Sequence, residues 1–96
     1  MKNMPDVRID SRSQQVYVNF VPVHIPKRTL EVLAVIINAK GACVSREKII
    51  DIIWGQGSGK FVKTNAVDQH VHRLRKVYGI GDRIETKSLW GYRWAI

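Results

Sequence analysis

Residues 64–78 read TNAVDQHVHRLRKVY, and this stretch decides the fold. When it is drawn as a helix at about 100° per residue, its apolar residues fall on one side. They are Val67, Val71, Leu74 and Tyr78. Polar and basic side chains fall on or beside the opposite side: Asn65, Gln69, His72, Arg73 and Lys76. The stretch therefore predicts an amphipathic helix with one side packed on a core and the other side facing solvent.

Two further helices are predicted upstream of this one. Pro26 suits the first turn of the first helix, and Gly41 is a natural stop after it. Apolar residues at i, i+3, i+4 and i+7 predict its buried side: Leu30, Leu33, Ala34 and Ile37. Ser45 is a good N-cap for the second helix, and Glu47 lies in its first turn. Its predicted buried side consists of Ile49, Ile50, Ile53 and Trp54.

The loop before the third helix and the chain on both sides of the helices can also be predicted. Residues 55–63 contain three glycines and predict a loop, after which Thr64 is a candidate N-cap. Alternation of apolar and polar residues predicts short antiparallel strands in 6–10, 15–20, 21–25, 83–87 and 92–96. Pro22 belongs at a sheet edge because it lacks a backbone N–H. The prediction is one α+β domain over residues 1–96, with an N-terminal antiparallel sheet, three helices and a C-terminal β-hairpin.

The charge balance points to a polyanionic partner. Among the 96 residues, 16 Lys and Arg oppose 8 Asp and Glu, which gives a formal charge of +8. The excess is largest in residues 60–96, the part that holds the third helix and the hairpin. A basic domain of this size suggests nucleic acid, and less often an anionic membrane surface.

Several other classes of protein are disfavoured. No apolar run approaches the roughly 18–20 residues of a membrane span, and the N-terminal residues lack the apolar core of a secretory signal. Cys43 is the only cysteine, so no internal disulfide forms and a reducing cytosol is the expected compartment. We expect Cys43 to be a small buried apolar residue.

The sequence also predicts no enzyme, no cofactor, no metal and no small-molecule substrate. The stretch GQGSGK lacks the spacing of a phosphate-binding loop, and Phe61 follows Lys60 where Ser or Thr is needed. His70 and His72 point about 200° apart on a helix and do not converge on a metal.

His70 is expected to pack or to contact a phosphate. Asp68 and Arg75 lie on one side, so we expect salt bridges with each other or with neighbouring helices.

Three helices followed by a hairpin form the pattern of a winged helix-turn-helix. In that architecture the third helix enters the DNA major groove and the hairpin, called the wing, lies along the backbone or minor groove. The major groove is about 12 Å wide and accepts one helix. Such a helix must be apolar on one side and rich in hydrogen-bond donors on the other, as residues 64–78 are.

Three motifs carry a resemblance to a known family. VSREKIIDIIW (44–54), VDQHVHRLRK (67–76) and IETKSLWGYRW (84–94) occur in order and with suitable spacing. Together they resemble the DNA-binding effector domain of the OmpR/PhoB family of bacterial transcription regulators, with ToxR-type regulators as further relatives. The resemblance implies a four-stranded N-terminal sheet, three helices and a wing. It also implies sequence-specific promoter binding, often by two head-to-tail copies on direct repeats.

The resemblance does not extend to base preference. The family commonly has Arg-Thr at the entry to the third helix, where this chain has Asn65 and Ala66. Gln69 replaces an apolar residue, and Ser88 stands in the wing where an Arg is frequent. In some relatives the loop before the third helix contacts RNA polymerase.

These arguments give a predicted set of DNA contacts. It consists of Trp54, Lys63, Thr64, Asn65, Gln69, His72, Arg73, Lys76, Lys87, Ser88 and Tyr92. Packing is the alternative for Trp54 and Tyr92, solvent exposure is the alternative for Lys76, and Trp90 is expected to tuck onto the domain. The predicted function is sequence-specific binding of double-stranded DNA in the cytoplasm, at the nucleoid. The alternatives are a protein-interaction winged helix and a DNA-binding protein without sequence preference.

Overall fold

The N-terminal part of the chain folds as a sheet of three antiparallel strands. The computed structural model describes residues 4–10, 12–87 and 91–95. The strands are β1 (Val7–Asp10), β2 (Gln15–Val18) and β3 (Val21–Val23), paired in that order. Pro22 lies on β3, at the sheet edge, as predicted. The described residues thus form three strands here and not the four that the resemblance implied.

Three helices follow the sheet, as predicted. They are α1 (Lys27–Asn38), α2 (Arg46–Trp54) and α3 (Asn65–Lys76), and a two-residue strand, β4 (Val44–Ser45), precedes α2. Ser45 caps α2 as expected, because its Oγ accepts a hydrogen bond of 3.0 Å from the backbone N–H of Lys48. A cap of this kind stabilises a protein by about 1 kcal/mol.

The C-terminal strands form the predicted hairpin. After α3, Gly79 has φ +68°, and the chain turns into β5 (Ile84–Lys87), which pairs with β6 (Gly91–Trp94). β4 adds to the other side of β6, so the second sheet has the order β4-β6-β5. Residues 88–90, between β5 and β6, lie outside the described residues. The predictions for Ser88 and Trp90 therefore stay predictions.

The buried side of α1 is wider than the sequence pattern predicted. Leu30 and Leu33 are buried as expected, whereas Ala34 and Ile37 are only partly buried. Additional buried positions are Thr29, Val32 and Ile36. The reason is that α1 packs against α2, α3 and β6 together, so more than one side of it is covered.

Two local predictions were wrong. Cys43 is exposed, because Val44, one residue later, turns inward at 8% exposure and Cys43 therefore points outward. Thr64 precedes α3 but makes no side-chain capping bond. Its backbone is already helical, with φ −63° and ψ −23°, whereas a side-chain cap needs an extended residue.

The described helices are all too short or too polar to cross a lipid bilayer.

Candidate nucleic-acid interface

Helix α3 presents one buried and one exposed side, as the sequence predicted. Val67, Val71 and Leu74 are at most 1% exposed and join the core. On the other side five side chains are exposed: Asn65, Gln69, His72, Arg73 and Lys76. Most of them line a shallow depression on the protein surface. The exposed side is therefore free to meet a partner while the core holds the helix in place.

The other predicted contacts that the structure describes differ in their exposure. Lys63 and Thr64 are exposed where the chain enters α3, and Lys87 is exposed on β5. Trp54, at the end of α2, is partly buried, and the guanidinium of Arg28 lies 4.8 Å from the centre of its ring. Arg28 was not among the predicted contacts, because its contact with Trp54 joins two different helices, α1 and α2.

Tyr92 is a correction to the predicted contact set. It is only 3% exposed, and its hydroxyl donates a hydrogen bond to the Asp68 carboxylate of α3. Burial, followed by this hydrogen bond, raises the pKa of the Tyr92 hydroxyl. The packing alternative therefore describes Tyr92, and its side chain lies beneath α3 and not on the exposed surface.

The Asp68 carboxylate also binds a neighbouring helix, as one of the predicted alternatives had it. The Nε of Arg46, the first residue of α2, donates to Asp68 Oδ1 over 2.7 Å. This bond is the main reason that the pKa of Arg46 is raised. Arg46 was not selected from the sequence, because its acidic partner Asp68 lies 22 positions away in the chain.

Arg75 bonds to the wing. One of its nitrogens donates to the Ile84 carbonyl over 2.9 Å and to the Thr86 hydroxyl over 2.7 Å. The guanidiniums of Arg75 and Arg46 lie 5.6 Å and 4.8 Å from the centre of the Tyr92 ring. The underside of α3 is thereby tied to α2 and to both long strands of the wing.

His70 is a packed histidine. Its Nδ1 lies 2.9 Å from the hydroxyl of Thr29, a residue of α1 that is 0% exposed. Burial lowers the pKa of His70 below its ordinary value of 6.5, and the nearby cations Arg73 and Arg28 lower it further. Among the residues that the structure describes, no group of side chains could hold a metal ion.

The His70 shift predicts a pH dependence of stability. Because the pKa of the folded state lies below 6.5, the unfolded chain binds more protons than the folded one between the two values. Stability is therefore highest above about pH 6.5 and falls as the pH drops through the folded pKa. Urea unfolding of the native chain and of His70→Gln, from about pH 7.5 to about pH 5, measures the effect. An equal loss for both chains would contradict it.

A family model described as "Transcriptional regulatory protein, C terminal" matches residues 21–94, well over half of the chain. The chain belongs to this family. The match covers the three helices and both long strands of the wing.

Two curated relatives are similar along most of the chain. CseB of Streptomyces coelicolor, a transcriptional regulatory protein, is 34% identical over 88 residues, which are 92% of this chain and 36% of the relative. The response regulator ArlR of Staphylococcus aureus is 32% identical over 89 residues, which are 90% of this chain and 40% of the relative. The chain thus spans well under half the length of these curated relatives.

Two solved structures of related regulators have the same fold as this chain. The DNA-binding domain of Bacillus subtilis CssR has a TM-score of 0.77 at 28% identity, covering 94% of this chain and 100% of that one. The Thermotoga maritima response regulator DrrB, described as an OmpR/PhoB homolog, has a TM-score of 0.79 at 27% identity, covering 99% of this chain and 44% of that one. The winged helix and the OmpR/PhoB resemblance are both confirmed, and the chain is a transcriptional-regulator DNA-binding domain of this type.

Proposed function

We propose that this domain binds double-stranded DNA sequence-specifically as part of a transcriptional regulator, with α3 in the major groove and the β5–β6 hairpin as the wing. The observation that carries the proposal is the exposed side of α3. Its twelve residues span about 18 Å, and the major groove, about 12 Å wide, accepts a helix of that shape. The formal charge of +8 supports a phosphate-rich partner.

The exposed residues divide by their chemistry. Asn65 and Gln69 carry amides, which form bidentate pairs with adenine N6 and N7, so we assign base contacts to them. Cationic, hydroxyl and ring N–H side chains fix the register through phosphates. In and before α3 we assign that role to Lys63, Thr64, His72, Arg73 and Lys76. We assign it also to the Arg28–Trp54 pair, and to Lys87 and Ser88 of the wing sequence.

Two substitutions separate base recognition from phosphate binding. Arg73→Ala is expected to weaken binding to every duplex and to reduce the slope of log K against log salt by about one. Gln69→Ala is expected to relax preference at one or two base pairs, at about 1–3 kcal/mol each. Fluorescence anisotropy on duplexes with single base-pair changes, over a salt series, measures both effects.

A matched control for the charge is Arg12→Ala, in the β1–β2 turn outside the proposed interface, which removes one cation without touching α3. Uniform weakening by Gln69→Ala on all duplexes would contradict its role in base recognition. A loss for Arg12→Ala equal to that for Arg73→Ala would show that only the net charge matters.

The primary test is selection of a duplex from a library with a randomised centre. Sequence-specific binding is expected to enrich one sequence that outcompetes random DNA by about 10³ or more. Salt-dependent binding without enrichment would mean a DNA-binding protein without sequence preference. The absence of any DNA binding at low salt would favour the protein-interaction alternative, for which the loop residue Phe61, 87% exposed, is the supporting feature.

We also propose that the regulator has partners besides DNA. The family resemblance supports two copies of the domain bound head to tail on direct repeats. It also supports contact between the loop 55–63 and RNA polymerase, in the cytoplasm where the nucleoid lies. We propose no small-molecule substrate, cofactor or enzymatic activity for this domain.

A further inference from the structure

We propose that Asp68, Arg46 and Tyr92 are positioning residues that fix the rotation of α3 against the wing and thereby set base discrimination without touching a base. This inference rests on the proposed function. It goes beyond that function by assigning part of the specificity to buried and half-buried contacts behind the exposed side of α3.

The three residues come from three separate elements. Arg46 is the first residue of α2, Asp68 lies in the first turn of α3, and Tyr92 lies in β6. The Asp68 carboxylate accepts hydrogen bonds from Arg46 Nε, at 2.7 Å, and from the Tyr92 hydroxyl. The hydroxyl of Tyr92 also lies 3.4 Å from a guanidinium nitrogen of Arg46. One carboxylate therefore joins the second helix, the third helix and the wing.

Arg75 supports the same link from about two helical turns further along α3. Its guanidinium flanks the Tyr92 ring together with that of Arg46 and donates to the Ile84 carbonyl and the Thr86 hydroxyl of β5. The wing is thus held to α3 at two places, Asp68 and Arg75. A rotation of α3 about its axis would break directional bonds at both.

The core contacts of α3 set which side of the helix faces inward, but they fix its rotation less sharply than directional bonds do. Val67, Val71 and Leu74 bury apolar surface, and the free energy of that burial is non-directional. Hydrogen bonds to a charged carboxylate are directional and stronger than neutral ones. Base recognition requires donor–acceptor distances of about 2.7–3.2 Å, which a small rotation of the helix would spoil. Phosphate contacts by long, flexible cations tolerate such a rotation.

The charge of Asp68 supports a positioning role. Asp68 borders the depression that is lined by Asn65, Gln69, His72 and Arg73, and its side chain is 43% exposed. A carboxylate at a surface that meets phosphates repels them, so it lowers the affinity for any DNA. This cost is offset by the contacts of the Asp68 carboxylate, which joins α3 to α2 and to the wing.

The test compares two substitutions with two matched controls. Tyr92→Phe removes only the hydroxyl, and Tyr17→Phe does the same in the N-terminal sheet. Asp68→Asn removes a charge at nearly constant shape, and Glu47→Gln removes an exposed charge from the first turn of α2. Each chain is titrated with the duplex selected by the native chain and with a random duplex of equal length, and its unfolding is measured in urea.

For both Tyr92→Phe and Asp68→Asn we expect the ratio of affinities, selected over random duplex, to fall about tenfold, the loss of about one base contact. The ratio should be unchanged in both controls. Loss of folded protein lowers both affinities by the same factor and leaves the ratio unchanged, so the ratio distinguishes positioning from mere stability.

An unchanged ratio for Asp68→Asn and Tyr92→Phe would overturn the inference, and so would a ratio that falls equally in the controls. If one of the two variants does not fold, the other alone decides by the same criterion. If the native chain enriches no sequence at all, the proposed function fails first, and that result is distinct from a native chain that discriminates alongside variants that discriminate equally well.

Discussion

Gly91→Ala is expected to lower the free energy of unfolding by at least about 3 kcal/mol. Gly91 opens β6 with φ +145°, in a region that residues with a Cβ rarely adopt. A Cβ built there would lie 2.0 Å from the Val44 carbonyl oxygen and 2.8 Å from the Ser45 Cα. Both are backbone atoms of β4, so the strands must separate. Urea unfolding followed by circular dichroism measures the loss.

Gly57→Ala is the matched control. Gly57 also has a positive φ, +90°, but no atom lies within 4 Å of the position that a Cβ would take. This substitution is expected to cost only the backbone strain, about 1 kcal/mol. Equal stability of the two variants would show that the contact between Gly91 and β4 is not a close one. Because β4 leads directly into Arg46, Gly91→Ala is also expected to disturb the contacts that hold α3.

Leu74→Ala is expected to destabilise the domain by about 3 kcal/mol. Leu74 is 0% exposed and anchors α3 to the core, so its removal leaves a cavity beneath the proposed recognition helix. Val77→Ala, just after α3 at a position 69% exposed, is the control and should change stability by less than about 0.5 kcal/mol. The midpoint of urea unfolding reports both.

The Leu74 variant also tests whether the core of α3 and its exposed side act separately. At temperatures where Leu74→Ala remains folded, we expect its salt dependence of DNA binding to match that of the native chain, because the cations on the exposed side are untouched. A native-like free energy of unfolding for Leu74→Ala would contradict the burial of this side of α3.

Much of the fold could be predicted because its elements are locally encoded. The period of Val67, Val71 and Leu74 located the buried side of α3. Ser45 marked the start of α2, and Pro22 marked an edge strand. These predictions succeeded because helical periodicity, capping and proline chemistry depend on residues close together in the chain.

The candidate site was predicted less completely. The side chains placed on the outer side of α3 are exposed, whereas Tyr92 lies beneath the helix and Cys43 lies on the surface. Arg46 and Arg28 were not selected at all. Tyr92, Arg46 and Arg28 depend on contacts with residues distant in the chain, whereas Cys43 points outward because its neighbour Val44 turns inward.

The sequence by itself determined the three helices, the hairpin and the polar side of α3, because side chains repeating every three to four residues specify a helix and its two sides. Only the tertiary structure decided which polar groups turn inward. Tyr92 and Asp68 are 24 positions apart, and Arg46 and Asp68 are 22 positions apart, so no local period relates them. Their hydrogen bonds exist because the core brings α2, α3 and β6 together, and a carboxylate between a guanidinium and a hydroxyl is then satisfied.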